Sequence, residues 1–179
     1  MSLIRRMYVA TLGVCLILLG GCDTLEETGV ITLQPATAEL SFRFSNTQQG
    51  ISREVTAESS VNLESFLNDN QYTRSDVVAA RVTGARIRIT TPFQENLAVL
   101  SDLELALQSN QDGPDAIATL ADPPADKNAS MSVLSGRSIT SYVQGGPFQG
   151  VLSLVGQKDV EDEYLLFVTL TIEVDVEGI

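Results

Sequence analysis

The chain has 179 residues, 44% of them apolar, which suffices for one packed domain and is short for two. Eleven basic and twenty-three acidic residues give a net charge of −12, so the protein is repelled by nucleic-acid phosphates and anionic headgroups, and no nucleic-acid partner is expected. It has no histidine and no tryptophan, which excludes Ser-His-Asp and Cys-His catalysis within one chain and removes the commonest zinc ligand.

In chain order, the first segment reads MSLIRRMYVATLGVCLILLGGC. Arg5 and Arg6 precede a mostly apolar run from Met7 to Leu19. That is the layout of an export signal whose charged end stays in the cytoplasm. The run is too short for a permanent membrane helix, which takes about twenty apolar residues. It closes on Leu19-Gly20-Gly21-Cys22. This tetrapeptide resembles the lipobox of bacterial lipoproteins, in which a branched apolar residue and two small ones precede an obligatory Cys. The resemblance implies cleavage between Gly21 and Cys22 and transfer of a diacylglycerol to the Cys22 thiol, with acylation of the new amino group. Two or three acyl chains anchor stably where a single chain is marginal. Residues 1–21 then form the signal, and the mature protein partners a membrane through the lipid on Cys22.

Cys15 lies inside the signal, so Cys22 is the single cysteine of the mature chain and no intramolecular disulfide is expected there. Loss of Arg5 and Arg6 leaves nine basic against twenty-three acidic residues, a charge of −14. Asp23 resembles the signal that holds enteric lipoproteins in the inner membrane. With Glu26 and Glu27 it also resembles the acidic signals for surface display in other phyla. Both locations stay open: the periplasmic face of an envelope membrane, or the cell surface.

Residues 22–36 read as a tether containing Gly29 and Pro35, with an edge strand over Val30–Leu33. From 37 to 179 the dominant period is two. Leu40, Phe42 and Phe44 alternate with Glu39, Ser41 and Arg43. Further strands are predicted over Ile51–Ala57, Val61–Leu63 and Val77–Thr91, where Pro92 is the stop. Leu97–Gln108 alternates as a strand although Leu and Ala also favour helix, and Ile117–Ala121 adds a short strand. Leu152 and Leu154 belong to another. Tyr164–Glu177 is the clearest strand, with Val168, Leu170, Ile172, Val174 and Val176 facing inward. Gln157–Glu163 reads as the hairpin loop before it. Asn62–Leu67 and Gly136–Val143 each allow a turn or two of helix. The pattern predicts an all-β fold, an antiparallel two-sheet sandwich of immunoglobulin-like type with one or two short helical turns.

Chemistry-bearing groups are sparse. Asp159, Glu161, Asp162 and Glu163 place four carboxylates in five residues, oxygen ligands of the kind calcium uses. They lack the EF-hand spacing and its glycine, so a solvated hairpin loop is the expected role. Asp112, Asp115, Asp122 and Asp126 form a second acidic region that reads as exposed turns. Arg81, Arg86 and Arg88 are expected to pair with acids across strands. No phosphate-loop spacing occurs, and no carboxylate pair has a context suited to glycoside hydrolysis. The expectation is a non-catalytic, lipid-anchored envelope protein without cofactor or metal site, serving a structural or protein-interaction role with an envelope protein as partner. The alternative is a solute- or glycan-binding lipoprotein serving a transporter or hydrolase system, in which Tyr72, Tyr142, Phe148 and Tyr164 line a pocket.

Overall fold

A computed structural model describes residues 29–178. The described residues form an all-β fold built on antiparallel strands: β1 (Val30–Thr32), β2 (Ala36–Thr47), β3 (Ser52–Val61), β4 (Val77–Thr91), β5 (Leu100–Gln108), β6 (Asp115–Ala121), β7 (Asn128–Val133), β8 (Phe148–Gly156) and β9 (Val160–Glu177). Two short helices, α1 (Glu64–Asp69) and α2 (Thr140–Gly145), fall where the sequence allowed helical turns.

The strands follow one continuous hydrogen-bonded path, β1-β9-β4-β7-β6-β5-β8-β3, with β2 also paired to β9. The path curls because β7 serves both halves of the sheet. Its residues Asn128–Met131 pair with β4, and Ser132 and Val133 pair with β6. β2, β9 and β4 dominate one half, and β6, β5, β8 and β3 make the other. Their apolar faces meet in one core.

Period two explains which face each strand buries. In β9, Tyr164, Leu166, Val168, Leu170, Ile172, Val174 and Val176 are all buried, and β2 contributes Leu40, Phe42 and Phe44. β4 buries Val77, then Ala80 and Val82, then Ala85, Ile87 and Ile89, so its phase flips twice. Each flip coincides with a register shift, between Val77 and Ala79 and between Val82 and Gly84. A bulge inserts one residue and returns the apolar side chains to the core. Leu103, Leu105 and Leu107 of β5 are buried, so alternation prevails over helix propensity there. Leu97–Val99 is the exception, a short 3₁₀ turn in which the Asn96 side chain accepts the Ala98 N–H at 3.0 Å.

Two expectations need correction. Val61 ends β3 and Leu63 leads into α1, so Val61–Leu63 is not a separate strand. The loop before the last strand is limited to residues 157–159, because β9 starts at Val160 and pairs Thr47 with Val160 and Ser45 with Glu163. Nor is it a hairpin loop: β8 pairs with β3 and β5, whereas β9 pairs with β1, β2 and β4, and the long-range ladder to β2 draws the acidic residues into the strand. The sequence reading also missed β7. Ala129, Met131 and Val133 do alternate with exposed Asn128, Ser130 and Ser132, but small and polar residues make that signal faint.

The sheet edge that β7 leaves open on β4 is covered by the segment leading into α2. Ile139 N–H donates to the Ala80 carbonyl (2.9 Å), the Thr140 hydroxyl accepts the Ala80 N–H (2.9 Å), and the Gln144 amide donates to the Val77 carbonyl (2.8 Å). Covering an edge in this way removes a template for aggregation.

Candidate functional site

Cys22 and Gly21, the lipidation and cleavage positions, lie outside the described residues, as do the signal and the first part of the tether. Among the described residues no helix is long and apolar enough to cross a membrane.

Among the described residues, the acidic segment does not gather into a metal cage. The Asp159 carboxylate accepts the Gln49 N–H at 2.8 Å, while Glu163 binds Arg43 at 2.6 Å. Consecutive residues of β9 point to opposite faces of the sheet, which separates Asp162 from Glu163. In the second acidic region, Asp115 is held by Arg137 at 3.0 Å and Asp126 accepts the neighbouring Lys127 N–H at 2.9 Å. No group of three or more acids or cysteines suited to a metal occurs among the described residues.

The arginine stripe is largely consumed by its own sheet. Arg81 is paired with Glu173 and, at 3.2 Å, with Asp175. Arg88 lies 5.2 Å from the centroid of the Phe167 ring and 3.8 Å from Glu39. Arg43 bridges Glu58 at 2.8 Å as well as Glu163, and these hydrogen-bonded carboxylates raise its pKa further. Asp76 at the turn before β4 accepts both the N–H and the hydroxyl of Thr73 at 2.7 Å, which lowers its pKa.

The four aromatic residues expected to line a pocket pack into or against the core. Tyr142, Phe148 and Tyr164 are buried in the core and Tyr72 packs partly against it. Tyr142 and Phe148 meet edge to face at 6.1 Å, and Phe44 stacks on Tyr164 at 5.3 Å. The strand period turns Phe44, Phe148 and Tyr164 inward and the buried face of α2 does the same for Tyr142, so their apolar area is spent on the core. The Tyr142 hydroxyl donates to the Gly113 carbonyl at 3.0 Å and fastens the β5–β6 turn to α2. Its pKa is raised by burial, then by Asp115 and Asp112.

That fastened turn forms one wall of a cleft of about 380 Å³ on the outer face of the β5-β8-β3 half. The floor is a cross-strand row, Gln108–Gln149–Ser60, whose members are register partners. Ser109 and Asn110 rise from the turn on one side and Pro147 stands on the other. The turn is internally braced: the Ser109 hydroxyl accepts the N–H groups of Gln111 (3.1 Å) and Asp112 (2.9 Å), and Ser109 N–H donates to the Asp112 carbonyl (2.9 Å). Sequence reasoning passed over these residues because neutral amides and hydroxyls, scattered over 90 positions, carry no spacing signature.

A second opening of about 360 Å³ lies between Ala79–Val82 and Val133–Ser138, flanked by Arg81 and Arg137. Both guanidiniums already hold carboxylates.

No protein-family model matches the chain and no curated protein matches it. Among solved structures it is similar to a Nora virus structure, with 13% identity and a TM-score of 0.43 over 84% of this chain, and it spans 62% of that chain. It is also similar to the capsid of the Helicobacter pylori bacteriophage KHP30 (9% identity, TM-score 0.38, 84% of this chain and 100% of the other). A third likeness is the 60-mer BFDV capsid protein (14% identity, TM-score 0.37, 87% and 98%).

Proposed function

We propose that this protein is a lipid-anchored component of a bacterial envelope, a non-catalytic structural or protein-interaction module tied to the membrane through Cys22. The lipobox Leu19-Gly20-Gly21-Cys22 behind a short apolar run is the observation that carries the reading. The composition and the engagement of the charged side chains support the non-catalytic part. The chain lacks histidine, its described arginines are mostly engaged with surface carboxylates, and the core of the described residues is apolar apart from Thr47 and two tyrosines. On this reading, the two halves of the curled sheet work as the layers of an immunoglobulin-like sandwich. Their outer faces are available to an envelope partner.

The test is fractionation of cells expressing the full chain or its Cys22→Ser variant. The wild type should partition into the detergent phase at the mass of a processed, acylated protein. The variant should stay uncleaved or leave the membrane fraction. Normal processing and unchanged detergent partitioning of Cys22→Ser would overturn the anchored reading.

A further inference from the structure

We propose that the cleft over the Gln108–Gln149–Ser60 row is a binding site for a neutral saccharide. The inference does not depend on the lipid anchor, since every residue in it belongs to the folded β domain.

The geometry supplies a flat, polar floor. Register pairing puts Gln108, Gln149 and Ser60 on one face of three adjacent strands. With strands about 4.8 Å apart the row spans roughly 10 Å, the scale of a pyranose ring with its substituents. Asn110 adds a third amide from the wall. Among the described residues, the side chains of Gln108, Asn110, Gln149 and Ser60 donate and accept no hydrogen bond within the protein, so their capacity faces outward. The wall that carries Asn110 is held by the two bonds to Ser109 and by the Tyr142–Gly113 bond. The site is therefore organised before a ligand arrives, which lowers the cost of binding.

The chemistry of the lining narrows the ligand class. Each amide presents a carbonyl acceptor beside two N–H donors, and a hydroxyl does both. Vicinal sugar hydroxyls present the complementary mixture. In a chain of charge −12, none of the six lining residues is charged. An anion meets no local cation to offset the repulsion of the whole molecule. A metal or an ammonium ion meets no carboxylate. An apolar ligand finds little beyond Pro147. A peptide strand would lay its donors and acceptors along a sheet edge, whereas this row runs across three strands. With no aromatic platform in the lining, the ring is held by its edges and the dissociation constant falls in roughly the millimolar range.

The experiment follows the side-chain amide resonances of Gln108, Asn110 and Gln149 by NMR in the detergent-solubilised full chain. Methyl glucoside, methyl N-acetylglucosaminide and maltose serve as neutral probes, with glucuronate and triglycine amide as controls. At least one neutral sugar should give saturable shifts confined to the cleft, with glucuronate weaker. Gln149→Ala should weaken that binding about tenfold, because one set of paired hydrogen bonds is lost, while the far-ultraviolet spectrum stays unchanged. Asn110→Ala, at an exposed turn position, gives a second variant that leaves the sheet intact. Absence of saturable shifts with every neutral sugar, tighter binding of triglycine amide, or full affinity in both variants would each overturn the assignment. The Cys22→Ser protein should titrate like the wild type, so failure of the anchored reading and failure of this one are separable.

Discussion

Tyr164 puts a phenol where the fold offers its hydroxyl nothing to bind. The side chain is 0% exposed, stacked on Phe44, and its oxygen has no hydrogen-bond partner among the described residues. Burial pushes its pKa up to about 12, with Glu95 and Asp162 adding repulsion. The folded state thus holds this proton more tightly than the unfolded chain, where the value is 10.0. The corresponding stability is fully present below pH 10 and is lost as pH rises from 10 to about 12. Tyr164→Phe should remove that alkaline loss. At neutral pH it should leave stability unchanged or raise it by up to about 1 kcal/mol, because an unpaired buried hydroxyl is a net cost. Urea melts of both proteins at pH 7 and at alkaline pH check this. Marked destabilisation at neutral pH would mean that the hydroxyl has a bonding partner after all.

At the scale of elements, β9 was the most legible in the sequence and is the most deeply embedded. It pairs with β1 and β2 on one side and with β4 on the other. Ile172 faces the core with 0% exposure, whereas Thr171 is half-buried on the outer face. Ile172→Ala should cost roughly 2–5 kcal/mol by removing buried carbons and leaving a cavity. Thr171→Ala should cost about 0.5 kcal/mol. Thermal or urea denaturation of the two variants distinguishes them, and equal losses would refute the single-face assignment. Long strands with large aliphatic residues at every second position read clearly because one side of the pleat must be apolar. β7 did not, since it derives its place from two different neighbours rather than from its own hydrophobicity. The acidic start of β9 looks like loop in the sequence for a related reason: its partner, β2, lies more than 110 residues earlier, and no local pattern reports that pairing.

For the whole molecule, the two halves of the sheet pack tightly where β2 faces Gly150 of β8. A Cβ on Gly150 would lie 2.7 Å from Leu40 Cδ1 and 2.9 Å from Phe42 Cζ. Gly150→Ala should therefore force the leucine and phenylalanine off their positions and cost about 1–3 kcal/mol by overpacking. A double variant, Gly150→Ala with Leu40→Val, should recover part of that loss. If Gly150→Ala melts like the wild type, the halves are further apart than this contact requires. The same long-range packing decides the cleft: Ser60, Gln108 and Gln149 become neighbours only when β3, β8 and β5 pair.

The sequence by itself determined the all-β class and most of the strands, the inward face of β2, β5 and β9, the two helical turns and the absence of histidine chemistry. All of these follow from local periodicity and composition, which a single chain displays in order. Only the tertiary structure decided the curled strand order, the double duty of β7, the burial of Tyr142 and Tyr164 and the assembly of the polar cleft. Each depends on contacts between residues far apart in the chain. Their energy comes from closing the core rather than from any local preference.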